Sequence, residues 1–397
     1  MAQVEIRTAV EVNEQRCSGC SICSSLCPFE ALKREEGKVV LQVERCQVCG
    51  LCYSSCPAKA IDIFYYDLDS LTRYIRQAKQ RHDSDTLVIA CKGSIQDFNQ
   101  VEELFGLSKF IPLSVPCVGR VSEEVYLKAI ADLDIKKVYV LACDEDFCRF
   151  ERGSRVSGRR ITALNLLLEQ FGFGEEVVTL KRNSLRAIYN PAECVGCGKC
   201  EFICPYEAVK LQQLATPRIE PEACRGCGAC ALVCPHLAIE VEGFEYERLS
   251  SLIQSYGAKA EQLKAQGTSP AVLVFACQWA VFPPPDRRDG LLGETAFLVE
   301  IPCFNKLDPI YVLQAFRSGF DGVLAVVCSD EDCKSGEGRG AAEENMAALR
   351  LTLKKLGLDD RFEVYKTSPR YVGDFEAKLK SFLDRISSLK KLEVCHE

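Results

Sequence analysis

Three absences narrow the class of this chain before any motif is considered. It has no long hydrophobic run: the longest stretches, such as "AVLVFAC" and "GVLAVVC", are about seven residues, and crossing a bilayer takes about 20. No membrane span is expected. It has no excess of basic charge either. The formal net charge is -7, from 49 Lys and Arg against 56 Asp and Glu, and nothing concentrates Lys and Arg, which argues against a nucleic-acid partner. Histidine is the third scarcity. His82, His236 and His396 are the only three; they form no cluster, have no evident nucleophile beside them, and are read as solvated. The opening "MAQVEIRTAVEVNEQ" carries charges where a secretory signal needs an apolar core, so a cytoplasmic location is expected.

What the chain does have is cysteine, 25 in 397 residues. With 47% hydrophobic content the length supports about two to four compact domains, and in a reducing compartment metal binding or catalysis explains so many thiols better than a disulfide scaffold. Spacing sorts them. "CSGCSICSSLCP" holds Cys17, Cys20, Cys23 and Cys27, and "CQVCGLCYSSCP" holds Cys46, Cys49, Cys52 and Cys56. "CVGCGKCEFICP" holds Cys194, Cys197, Cys200 and Cys204, and "CRGCGACALVCP" holds Cys224, Cys227, Cys230 and Cys234.

Each run is C-x2-C-x2-C-x3-C-P, the pattern of bacterial ferredoxins, and the runs of each pair are separated by only 18 or 19 residues. The resemblance to two-cluster bacterial ferredoxins implies that three close thiolates hold one 4Fe-4S cluster while the fourth serves its neighbour. Carried over residue by residue, it implies four ligand sets. Set I is Cys17, Cys20, Cys23 with Cys56, and set II is Cys46, Cys49, Cys52 with Cys27. Set IV is Cys194, Cys197, Cys200 with Cys234, and set V is Cys224, Cys227, Cys230 with Cys204. Pro28, Pro57, Pro205 and Pro235 stiffen the turn after each fourth cysteine. A zinc ribbon, the bland alternative, uses two separated CxxC pairs rather than dense four-cysteine runs.

The ferredoxin pairs recur at an offset of 177 or 178 residues, and eight further cysteines recur with them. Cys91, Cys117, Cys143 and Cys148 correspond to Cys277, Cys303, Cys328 and Cys333 at offsets of 185 or 186, in matching contexts: "TLVIAC" with "AVLVFAC", "VPCVGR" with "IPCFNK", "VYVLAC" with "VLAVVC". The chain reads as a tandem duplication of a ferredoxin-like unit followed by a second domain.

That second domain reads as α/β. Short apolar runs bounded by turns alternate with helical patterns, in the order strand, strand, helix, strand, helix, strand, which favours a largely parallel sheet. Leu71, Tyr74, Ile75 and Ala78 space one helix face, and Leu249, Leu252, Ile253 and Tyr256 repeat it. Ser122 and Asp308 stand as N-caps, Pro309 at the first helical position, and Gly172 or Gly357 where a last helix ends. Three cysteines of each foursome terminate predicted strands, and ligands collect beyond the carboxyl ends of open parallel sheets. Cys91, Cys117, Cys143 and Cys148 (set III) are therefore expected to converge, as are Cys277, Cys303, Cys328 and Cys333 (set VI). Buried cysteine as a small apolar core residue is the competing reading.

"VPCVGRVSEEVYLKAI" followed by "VYVLACDEDFCRFERG" resembles the iron-sulfur delta subunit of methyl-viologen-reducing hydrogenase, over about residues 84–183 and again over 268–368. The resemblance implies a 2Fe-2S cluster in each copy and docking onto heterodisulfide reductase. The chain departs from the family's expected CxxC at the first ligand, since "CKGS" and "CQWA" keep one cysteine each. Four sulfurs alone leave zinc as the alternative in sets III and VI. The expected architecture is thus two α+β ferredoxin-like domains, residues 8–66 and 187–246, alternating with two α/β parallel-sheet domains, residues 67–186 and 247–397.

Lesser features carry a bland reading beside a sharp one. Arg120 and Lys306 follow matching ligands by three residues; each is either a cation that raises a cluster's potential or a solvated surface charge. "GEGRGA", from Gly336, fits the dinucleotide fingerprint only superficially, because it does not follow a strand and the first copy lacks it. Cys395, in a C-terminal helical pattern, has no counterpart and reads as an incidental thiol. No acid/base constellation and no activated nucleophile is evident, so the chain is expected to carry electrons and to catalyse nothing itself. The resemblance implies a hetero-oligomeric, heterodisulfide-reductase-like assembly in an anaerobe. In it the chain would pass electrons between a flavin-containing subunit that can bifurcate them and a donating hydrogenase or dehydrogenase subunit. The alternative, from another class, is an iron-sulfur redox-responsive interaction protein.

Overall fold

The computed structural model describes residues 7–212, 216–283, 291–292, 295–335 and 339–390. Two parallel sheets organise them. The first contains β1 (Thr86–Cys91), β2 (Ile111–Val115), β3 (Lys137–Ala142) and β4 (Val178–Arg182), in spatial order β2-β1-β3-β4. The second contains β5 (Val272–Cys277), β6 (Ala296–Ile301), β7 (Gly322–Cys328) and β8 (Phe362–Thr367), in the matching order β6-β5-β7-β8. Every one of these neighbours runs parallel; a short strand at Leu291–Leu292 adds antiparallel to the edge of β6. All residues of β5 and β7 are buried, which is why these runs are continuously apolar rather than alternating: a parallel sheet covered on both faces has no polar side.

Helices fill the crossovers: α1 (Leu68–His82), α2 (Glu123–Leu127), α3 (Gly153–Gln170), α4 (Tyr246–Ala265), α5 (Pro309–Arg317), α6 (Gly340–Lys355) and α7 (Asp374–Ser388). The expected face of α1 is the buried one, through Leu71, Ile75 and Ala78, and α4 buries Leu249 and Ile253. Asp67 caps α1 from the Ser70 amide at 2.6 Å. Asp308 caps α5 from the Ile310 amide at 2.8 Å, with Pro309 in the first turn. Ser122 differs from the expectation. It stands at the N-cap of α2 in extended conformation, but its hydroxyl makes no capping bond, and the helix passes into a wider turn over Lys128–Asp132. Gly172 and Gly357 lie two residues beyond the ends of α3 and α6.

The ferredoxin-like segments are small. Val10–Val12 pairs antiparallel with Ile61–Ile63, and Leu32–Glu35 with Lys38–Leu41; Ala187–Tyr189 pairs with Ile239–Val241, and Val209–Leu211 with Pro217–Ile219. One-turn helices start inside each cysteine run, at Ile22, Leu51, Lys199 and Ala229. The first such segment shares one core with the first parallel sheet, in which Leu51 and Ile61 join Leu87 and Val138. The second keeps a small core built on Cys200, Val209, Cys230 and Ile239. Arg7–Thr8 pairs antiparallel with Tyr371–Val372, drawing the two ends of the described chain together. Among the described residues no helix is long and apolar enough to cross a membrane.

Candidate metal centres

The parallel sheets deliver their cysteines where strands end. Cys91, Cys277 and Cys328 are the last residues of β1, β5 and β7; Cys143 directly follows β3, and Cys117 and Cys303 come two residues after β2 and β6. Set III therefore converges. Cys91, Cys117, Cys143 and Cys148 line one small cavity with Phe150 and Trp279, and the Sγ atoms of Cys91 and Cys143 are 3.1 Å apart. Hydrogen bonds from the thiols of Cys117 and Cys143 hold Cys148 down to about 3. Set VI converges too: Cys277, Cys303, Cys328 and Cys333 line a cavity of about 360 Å³, and the Cys277 thiol holds Cys303 down to about 6.

The ferredoxin-like runs gather as interleaved sets, not as contiguous runs. Cys27 lines a cavity with Cys46, Cys49 and Cys52, and Cys234 lines one with Cys194, Cys197 and Cys200. Burial pushes Cys23 up, and the charges of Cys56 and Cys20 add to it. Burial likewise raises Cys230, with further contributions from Cys227, Cys224 and Cys204. Within set II burial raises Cys46 to about 11 and Cys49 to about 12. Thiols so buried keep their protons until a metal displaces them.

The donor chemistry fits iron-sulfur clusters. Backbone amides already point at sulfur: Ala31 at Cys27, Val48 at Cys46, Ala60 at Cys56, Gly119 at Cys117, Gly196 at Cys194, Ala208 at Cys204 and Ala187 at Cys224, all within 3.2–3.4 Å. Such hydrogen bonds to sulfur are one of the levers on cluster potential.

Neighbouring sets adjoin. Cys52 of set II feels Cys23 of set I, and Cys117 of set III feels Cys49 of set II. Cys143 and Cys148 of set III share the 360 Å³ cavity with all four cysteines of set VI. Cys303 of set VI is the thiol that most raises Cys227 of set V, after burial, and Cys230 of set V feels Cys200 of set IV. The neighbours follow in the order I, II, III, VI, V, IV, and Cys224 and Cys227 of set V line the same 360 Å³ cavity, so sets III, VI and V meet there. The two ends of that order are open to solvent: Cys20 and Cys197 are exposed.

Arg120 and Lys306 are buried, at 0% and 4% exposure, so neither is a solvated surface charge. His82 and His236 are exposed as expected, although His236 borders the set IV cavity. Cys395, His396 and the first three residues of "GEGRGA" lie outside the described residues. Sequence reasoning missed Trp279, which borders both the set III and the set VI cavities. Its only signal was its place two residues after Cys277.

Comparison with known proteins matches the same segments to known families. The family model for the methyl-viologen-reducing hydrogenase delta subunit matches residues 90–195 and 272–390, and two models for 4Fe-4S dicluster domains match residues 9–81 and 181–238. A subunit of the ferredoxin/F(420)H(2)-dependent CoB-CoM heterodisulfide reductase of Methanosarcina acetivorans is 30% identical over 202 residues, 49% of this chain but 24% of that protein. This chain thus spans about a quarter of that relative's length. The vhu iron-sulfur subunit of the F420-non-reducing hydrogenase of Methanococcus maripaludis is 30% identical over 124 residues, 30% of this chain and 92% of that relative. With the delta-subunit model covering more than half of its residues, in two stretches that hold sets III and VI, and with 4Fe-4S dicluster domains beside each, the chain belongs to the methyl-viologen-reducing hydrogenase delta-subunit family.

Proposed function

We propose that this chain is a six-centre electron relay within a heterodisulfide-reductase-like complex. In this reading residues 8–66 and 187–246 are ferredoxin domains, residues 67–186 and 247–397 are delta-subunit domains, and the whole arose by tandem duplication. Sets I, II, IV and V hold four 4Fe-4S clusters and sets III and VI hold two 2Fe-2S clusters. When bound, such clusters supply one-electron steps with potentials tunable over a wide range. The residues supply the rest. Thiolates fix each position, amides aimed at sulfur stabilise negative charge, and the apolar walls of Leu51, Phe150 and Trp279 exclude water.

The observation that carries this reading is the unbroken order of the six cysteine sets, with exposed thiols only at its two ends. Electron transfer falls off steeply with distance, and a line without gaps and with two accessible termini is what conduction between two partners needs. The names of the relatives, from a heterodisulfide reductase and from a hydrogenase, support partners of those two kinds; a flavin-containing acceptor at one end and a hydrogenase or dehydrogenase donor at the other is what the family resemblance implies.

The test is metal analysis and electron delivery with the anaerobically purified chain. About 20 irons with matching acid-labile sulfide is expected from four 4Fe-4S and two 2Fe-2S clusters; about 16 irons with two zincs removes the 2Fe-2S assignment. A low-potential donor should reduce every cluster quickly and reversibly, and electrons should reach a flavoprotein acceptor. Clusters that decay in oxygen and alter partner binding, without electron transfer, would instead favour a redox-responsive interaction protein.

A further inference from the structure

Arg120 and Lys306 occupy the same place in the two halves. Each ends a single helical turn, Val118–Arg120 or Phe304–Lys306, and each lies across the glycine of the neighbouring ferredoxin-like turn. A Cβ on Gly50, between Cys49 and Cys52, would stand 2.5 Å from Arg120 Cβ and 2.8 Å from its Nε; one on Gly228, between Cys227 and Cys230, would stand 2.8 Å from Lys306 Cβ. The two cations thus sit at the junctions between sets II and III and between sets V and VI.

Their counter-charges differ. Lys306 Nζ donates to Glu240 at 2.9 Å, in a pair whose side chains are 4% and 12% exposed. The acid at the corresponding strand position of the first half is Asp62, and it turns away: its carboxylate pairs with Arg16 on the surface. Among the described residues Arg120 is left without an acid. One guanidinium nitrogen donates to the Val48 carbonyl at 2.8 Å, Nε and Nη1 have no partner, and the rings of Tyr66 and Phe282 stand 5.5 and 5.7 Å away. A fully buried cation with two orphan donors is costly unless an anion completes it. Burial pulls its pKa down, opposed most by the thiols of Cys117 and then Cys49.

We propose that Arg120 is a potential-setting cation, uncompensated where Lys306 is neutralised by Glu240, so that a cluster at set II accepts an electron more readily than its counterpart at set V. This rests on the relay reading. Reduction adds one negative charge, and a desolvated positive charge beside it stabilises that state strongly, whereas an ion pair nearly cancels at the same range. Arg149, half-buried, acts on Cys303 of set VI, Arg370, beside set II, is paired with Asp332, and Arg186, beside set V, is paired with Asp144, so the comparison is between sets II and V.

The test is an EPR-monitored redox titration of the full chain, with Cys49→Ser and Cys227→Ser used to identify the signals of sets II and V. Arg120→Gln should make set II at least about tenfold harder to reduce, about 59 mV for one electron, and Arg120→Lys should restore most of that. Glu240→Gln, which frees the charge of Lys306, should move set V the opposite way by a similar factor and leave set II in place. Full iron content with unmoved midpoints in Arg120→Gln would overturn the inference. Should that variant not fold, an unmoved set V in Glu240→Gln would overturn it. Wild-type chain lacking the clusters would instead sink the relay itself.

Discussion

Lys92, the residue after Cys91, crosses from the first parallel sheet to pair with Glu300 of β6 in the second, through side chains that are 5% and 25% exposed. The same ammonium donates to the carbonyls of Gln278 at 3.1 Å and Val281 at 3.4 Å. One side chain therefore clamps the strand end that carries Cys277 onto the strand end that carries Cys91. Lys92→Met should lower the urea midpoint by an amount equivalent to about 3 kcal/mol, because it leaves a partly buried carboxylate behind, and Lys92→Met with Glu300→Leu should recover part of the loss. A double variant no better than the single one would show that the pair is not what joins the sheets.

Interleaved ligation makes an unusual forecast for single cysteines. Cys56→Ser, in the second run, should empty set I, whose other members lie in the first run, and Cys27→Ser should empty set II. Each should cost about four irons per chain and spare the neighbouring signal. Loss of the signal from the variant's own run would refute the interleaving.

Trp279 is the sole tryptophan, and its ring stands 5.6 Å from Phe150 and borders both the set III and the set VI cavities. Its fluorescence should be strongly quenched in the cluster-loaded chain and recover on anaerobic chelation of iron. Trp279→Leu should keep its iron yet slow the passage of electrons between the halves in stopped-flow reduction. Bright emission from the loaded chain would place the clusters elsewhere.

Acid should loosen the C-terminal helix through Glu363. Burial alone would raise its pKa, but the bond to Lys378 and the charge of Arg385, whose guanidinium is 2.7 Å away, hold it below the ordinary glutamate value. A depressed carboxylate stabilises fully above its unfolded pKa, about 4.3, and the contribution disappears as pH falls through the folded value. Glu363→Gln should therefore cost up to about 1 kcal/mol at pH 7 and progressively less as the pH falls below about 4.3, as read from denaturation midpoints. An equal cost at every pH would assign the effect to packing.

Much of the site was legible because its information is local. A C-x2-C-x2-C-x3-C-P run places three thiols on one turn whatever surrounds it, while the exchange of the fourth cysteines among sets I, II, IV and V is what the ferredoxin resemblance implies. β5 and β7 could be recognised as runs too apolar and too short to be anything but buried strands. The convergence of Cys91 with Cys143 followed from where parallel strands stop. Ser122 shows the limit of local reading, since the residue type suited an N-cap and the hydroxyl still made no capping bond.

Sequence by itself determined which cysteines lie together on one turn, because that depends on spacings of a few residues; the fourth member of each ferredoxin-like set is what the resemblance implies. Only the tertiary structure decided how the groups follow one another: the chain folds back so that set III meets set VI, and set V, early in the second half, meets them both. It also decided that Asp62 faces Arg16 while Glu240 faces Lys306, leaving Arg120 alone among sulfurs. The field at a buried centre is summed over neighbours dozens or hundreds of residues away, and no window along the chain contains that sum.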